Sequence, residues 1–128
     1  MGVSQEMREN LDLACAKAAQ EIALDITKDG KQLYRLLMQA LGVLEEQGLY
    51  ALFLFLKTKD KLGNLIADRL EKFLHQTPRQ EPLFSGSENC FAQIQRLAED
   101  LDRLLLARDL LRQVLLYASY HSRVGEDR

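Results

Sequence analysis

The chain has 128 residues, 47% of them apolar, and a net charge of −2, which fits one domain with an ordinary hydrophobic core. A globally basic nucleic-acid binder is excluded by that charge, and a membrane span by the absence of any apolar run of about 20 residues. Cys15 and Cys90 stand far apart with no CxxC partner, so a disulfide framework is not expected. Two small buried thiols in a reducing cytoplasm are expected instead. The first residues lack a basic flank followed by an apolar run, so no signal peptide is expected.

The charge is unevenly spread. Residues 5–27 carry Arg8 and Lys17 against five acidic groups, residues 57–79 six basic groups against three acidic, and residues 103–123 four arginines against Asp109 alone. A near-neutral chain with such segregation can still present a basic face.

A first helix is expected from about Gln5 to Thr27, with Ser4 as N-cap. Leu11, Cys15, Ala18, Ile22 and Ile26 recur at steps of three and four and make one apolar face. Leu13 and Leu24 fall on the opposite side beside Lys17 and Lys28, either as scattered surface leucines or as a contact stripe for a partner. Asp29-Gly30 signals a turn, and a second helix follows from Lys31 to about Gln47. Its leucines at 33, 36, 37, 41 and 44 cover a wide arc, so it should be largely buried.

From Leu49 to Leu56 every residue is apolar. A strand is possible on aromatic content, but the helical neighbours favour a short helix enclosed by protein on all sides. Gly48 allows a sharp turn before it, and Lys57, Thr58 and Lys59 return the chain to water. A fourth helix runs from an Asp60 cap to about Gln76, with Leu62, Leu65, Ile66, Leu70, Phe73 and Leu74 inward. Gly63 should weaken it relative to alanine. The pattern breaks over about 77–87, where Pro78, Pro82 and Gly86 mark a loop. Ser85 with Glu88 has capping-box spacing, and Ser87 is a rival N-cap.

The last 40 residues read as helix. One apolar face runs through Phe91, Ile94, Leu97, Ala98, Leu101 and Leu105, and the next through Leu110, Leu111, Val114, Tyr117, Ala118 and His121. Periodicity leaves open a break near Ala107, and the polar end, about 124–128, is expected to fray. The expected fold is therefore all-α: a compact single-domain bundle of about five to six helices, with a buried central helix near 49–56.

At 100° per residue, Arg108, Arg112, Ser119 and Arg123 share a sector of roughly 60° on the last helix, with no acid among them. A row of guanidiniums suits a phosphate backbone, since each offers a rigid donor fork to phosphate oxygens. The plainer alternative is a solvated face that pairs with the acidic first helix. Lys57, Lys59 and Lys61 form a second basic corner, although lysines also favour helix C-termini for the dipole alone. Zinc ligation by Cys15, Cys90, His75 and His121 is disfavoured, because no local spacing resembles a zinc site. There is no GxSxG, P-loop, HExxH or paired-glycine fingerprint, so neither an enzyme nor a cofactor is expected.

The stretch Ala40-Leu41-Gly42-Val43-Leu44-Glu45-Glu46-Gln47-Gly48-Leu49, followed by Leu52-Phe53-Leu54-Phe55-Leu56 and Lys59, resembles the small helical subunit of the Cmr complex, the type III-B CRISPR RNA-targeting effector. That family carries an "LP-x-L-I-x-x-N-G-L" turn leading into an apolar "x-x-T-L-A-F-L-x-x-K" helix, and ends in a tryptophan with a basic pair, where this chain has Tyr120-His121-Ser122-Arg123. Leu41, Gln47 and Tyr120 stand where the family has proline, asparagine and tryptophan. Loosely, the likeness covers residues 8–124, and small subunits of other type III complexes are the next choice.

The resemblance implies a non-catalytic, cytoplasmic role in antiviral defence. Copies would stack as a filament along the backbone and large subunits of the effector, and meet the guide RNA and target RNA through phosphates without reading sequence. On that reading Lys59 and Arg123 sit at matching family positions, while Lys17, Lys57, Lys61, Arg108 and Arg112 are RNA-contact candidates by charge placement. The alternative is a helical protein–protein adaptor that does not bind nucleic acid.

Overall fold

The computed structural model describes residues 9–25 and 29–126. Six helices order these residues: α1 (Leu11–Asp25), α2 (Gly30–Gln47), α3 (Leu49–Thr58), α4 (Lys61–Gln76), α5 (Cys90–Leu97) and α6 (Leu101–Glu126). No strand occurs among them. The expected cap at Ser4 lies outside the described residues. Glu9 and Asn10, inside the expected first helix, are not helical. The Asn10 side-chain oxygen instead accepts the Leu13 N–H at 2.9 Å, so α1 starts at Leu11.

Asp29 caps α2 by accepting the Gln32 N–H at 3.1 Å. Gly48 ends α2 with φ +94°, a backbone state that side-chain-bearing residues rarely adopt, while its N–H still donates to the Leu44 carbonyl. Its own carbonyl accepts the Leu52 N–H, so α3 begins without an intervening residue. Asp60 caps α4 as expected, accepting the Leu62 N–H at 3.2 Å. The cap of α5 is Asn89, which accepts the Ala92 N–H at 3.0 Å, and neither Ser85 nor Ser87.

The break in the C-terminal region falls at 98–100, not near Ala107, which lies inside the continuous α6. The Glu99 and Asp100 N–H groups donate three residues back, tightening the end of α5. The Asp100 carboxylate then accepts the Arg103 N–H at 3.3 Å and starts α6 afresh. This resets the helical phase, so Ala98, Leu101 and Leu105, expected on an inner face, are exposed. At the other end α6 continues to Glu126, through residues expected to fray.

The helix at the centre is α6. It packs against α1, α2 and α5, while α3 bridges α2, α4 and α5, and α4 closes onto α1. Leu110, Leu111, Val114, Leu115 and Ala118 of α6 meet Cys15, Ala19 and Ile22 of α1 and the leucines of α2 in a single core. The α3 helix buries Leu49, Leu52, Phe53 and Leu56, but Tyr50 and Leu54 face solvent. It is enclosed on one side, not on all sides. Tyr50 rests on Phe91 of α5, with ring centres 5.0 Å apart.

The 77–89 loop belongs to the core. Leu83 and Phe84 are buried, their N–H groups donating to the Thr77 and Leu74 carbonyls, and Phe84 stands edge-on to His75. Buried Gln93 holds the Ser85 backbone with both ends of its carboxamide.

Candidate nucleic-acid interface

The α6 arginines lie along the seam with α2, and that seam engages them. Arg108 donates to the Glu45 carbonyl at 3.0 Å, and Arg112 Nε meets the Glu45 carboxylate at 2.6 Å. Arg123 stacks over the Tyr34 ring at 5.0 Å. Because α2 and α6 run antiparallel, the end of α2 meets the start of this row and the beginning of α2 meets its end. Ser119 does not belong to the exposed row. It is buried, and its hydroxyl donates to the Leu116 carbonyl at 2.7 Å. The pairing is therefore with Glu45 of α2 and not with the acidic first helix.

The lysine corner is also divided. Lys57 pairs with Glu71 of α4 at 3.3 Å, tying α3 to α4. Lys59, the C-cap of α3, lies over the Phe55 ring at 4.9 Å. Lys59 also faces Arg35 of α2 across a depression of about 160 Å³ that Gln32 and Gln39 help to line. Lys61 is exposed at the first position of α4. Asp60, which caps α4, also lines the depression, so its carboxylate offsets part of the charge of Lys59 and Arg35 there.

Lys17 stands elsewhere, on the rim of a cleft of about 340 Å³ between α1 and α4. Ala14, Ala18 and the edge of Phe73 form its apolar floor, and Arg69, Lys72 and Arg79 complete a cationic rim. These last three were not singled out in the sequence. Their signal in the sequence is the basic excess of residues 57–79, whose second half holds all three, but no local spacing shows that α1 packs beside it.

The buried thiols are unsuited to nucleophilic chemistry. Burial pushes the Cys15 thiol up to about 12, helped by the nearby Asp12 carboxylate, and burial also raises Cys90. Among the described residues, no three His, Cys, Asp or Glu side chains gather where they could hold a metal ion. Among the same residues, no helix is long and apolar enough to cross a membrane. Comparison with models of known protein families, with characterised proteins and with solved structures finds no match to this chain in any of the three.

Proposed function

We propose that this protein is a non-catalytic small subunit of a type III CRISPR ribonucleoprotein effector, of the Cmr kind, which meets guide and target RNA through phosphates without reading bases. The observation that carries the reading is the stretch 40–59. The Gly-Leu of the family-like turn coincides with Gly48, whose positive φ requires glycine, and with the buried first residue of α3. The apolar residues of the family-like helix include Leu52, Phe53 and Leu56, which are fully buried. The pattern therefore falls on positions where backbone and packing constrain the residue.

Among the basic candidates, Lys17, Lys59, Lys61 and Arg123 are better placed for phosphate contact than Lys57 or Arg112. The latter two already hold carboxylates. The adaptor reading draws on a different observation. Arg108 and Arg112 are engaged by Glu45 within the molecule, while Leu13 and Leu24 are 48% and 74% exposed on one stripe of α1.

The two readings separate in a pull-down of the tagged protein from its own cells, with sequencing of small RNA and mass spectrometry of partners. Discrete guide RNAs together with several RNA-binding subunits support the effector reading. Protein partners that survive nuclease treatment, with no RNA recovered, replace it with the adaptor.

A further inference from the structure

The α1–α4 cleft gathers positive charge over an apolar floor. Glu21 pairs with Arg69 at 3.9 Å, and the Glu9 carboxylate accepts the Arg79 backbone N–H. Glu9 keeps its negative charge in that contact, so four cations face two carboxylates around the cleft and a net positive charge remains. Lys17, Lys72 and Arg79 are exposed, and their charged ends make no ion pair with a described residue. Like charges held around a concave apolar floor repel one another and focus a positive potential into it. A bound anion relieves both.

The floor exists because α1 places alanines at 14 and 18, opposite Phe73 of α4, where larger side chains would fill the space. The C-terminal end of α4 also borders the cleft, and bare carbonyls there would repel an anion. The loop meets part of that objection, since the Leu74 and Thr77 carbonyls accept the Phe84 and Leu83 N–H groups. From Arg69 to Gln76 the α4 wall runs roughly 10 Å, enough for a short row of phosphoryl groups.

We infer that this cleft is a phosphate-binding site, with Lys17, Lys72 and Arg79 as its contacting cations and Arg69 positioned by Glu21 beside them. It takes either the backbone of single-stranded RNA or the polyphosphate of a free nucleotide, and it rests on the effector reading above only for the choice of RNA. The α6 arginine row is a separate surface.

The test uses the full chain, a short mixed-sequence single-stranded RNA followed by anisotropy, and inorganic triphosphate followed by calorimetry. Lys17→Ala/Lys72→Ala is compared with Lys31→Glu, which changes the net charge equally but does not line the cleft. The double variant should weaken binding at least about tenfold and lower the single-strand salt slope by about 1.4, while Lys31→Glu changes affinity less than about threefold. Loss of RNA binding alone identifies a polynucleotide site, and loss of triphosphate binding alone a nucleotide site. Either result upholds the cleft. Equal weakening by Lys31→Glu, unchanged affinity in a double variant that keeps its helical circular dichroism, or no binding of either ligand to the wild type overturns it. The pull-down can fail while this titration succeeds, so the two conclusions stand or fall separately.

Discussion

Asp12 faces two groups whose protons it helps to hold. Its carboxylate accepts the Tyr117 hydroxyl at 2.6 Å, and that hydrogen bond raises the tyrosine above its ordinary value. Its charge also adds to the burial that lifts the Cys15 thiol from 9.0 to about 12. A group whose value is higher in the folded state gives stability that is complete below the unfolded value and is lost as pH climbs to the folded one. Stability should therefore fall between about pH 9 and pH 12, and Asp12→Asn should lower the Tyr117 titration seen by tyrosinate absorbance. An unchanged tyrosinate curve in the variant would show that the hydrogen bond is not made in solution. At this scale the sequence was partly legible. Helical arithmetic placed Arg108, Arg112 and Arg123 on one side of α6. It could not show that Glu45, more than 60 positions earlier, lies against two of them, because that contact depends on how α2 and α6 pack. The half-exposed Arg112–Glu45 pair contributes little to stability, at most about 1 kcal/mol, so its main effect is to occupy the arginine.

Helix boundaries were legible where a single strong signal marked them. The Asp60 cap and the Gly48 switch follow from local backbone chemistry, and each lies where the sequence places it, whereas the expected Asp29-Gly30 turn is the start of α2, with Asp29 as its N-cap. Boundaries were lost where a capping residue stood out little from its neighbours: Asn10 lies in the polar run before Leu11, and Asp100 inside a continuous apolar pattern. There a short side chain captured a backbone N–H that periodicity had assigned to the helix. Gly63 is a different kind of loss. From sequence it reads as a weak point in α4, yet a Cβ on it would lie 2.4 Å from the Leu56 carbonyl oxygen and 2.6 Å from Lys59 Cβ. Its cost in propensity is what lets α4 approach the end of α3. Gly63→Ala should thus destabilise by about 1–3 kcal/mol despite alanine's helix preference, because backbone stands in the way. Gly42, exposed in the middle of α2 with nothing within 4 Å of a built Cβ, is the contrasting case. Gly42→Ala should stabilise by about 0.4–1 kcal/mol. Thermal denaturation of the two variants checks both signs, and equal shifts in the same direction would refute the close-approach account.

The molecule as a whole was legible as an all-helical bundle, because long stretches of three-and-four periodicity have few other solutions. Which helix lies at its centre was not. The wholly apolar 49–56 segment looked central, but a short helix can cover only one side of a core. The 26-residue α6 is long enough to run between α1 and α2 and still reach α5. Side chains from all six helices and the 77–89 loop join one contiguous cluster, and no buried side-chain nitrogen or oxygen among the described residues lacks a hydrogen bond. A single continuous core in a chain of this size favours one cooperative unfolding transition. Leu111→Ala in α6 and Leu56→Ala in α3, both fully buried, should each cost about 2–5 kcal/mol and shift one common transition without splitting it. Denaturant unfolding can be followed by far-ultraviolet circular dichroism, by tyrosine fluorescence and by labelling of Cys15 and Cys90, which report on the helices, the surface and the core. Coincident curves with an unchanged slope are expected for both variants. If Leu56→Ala instead released Cys90 for labelling at a denaturant concentration where Cys15 stayed protected, α3, α4 and α5 would form a separate unit. The bundle would then be a stable α1–α2–α6 core carrying a detachable lobe.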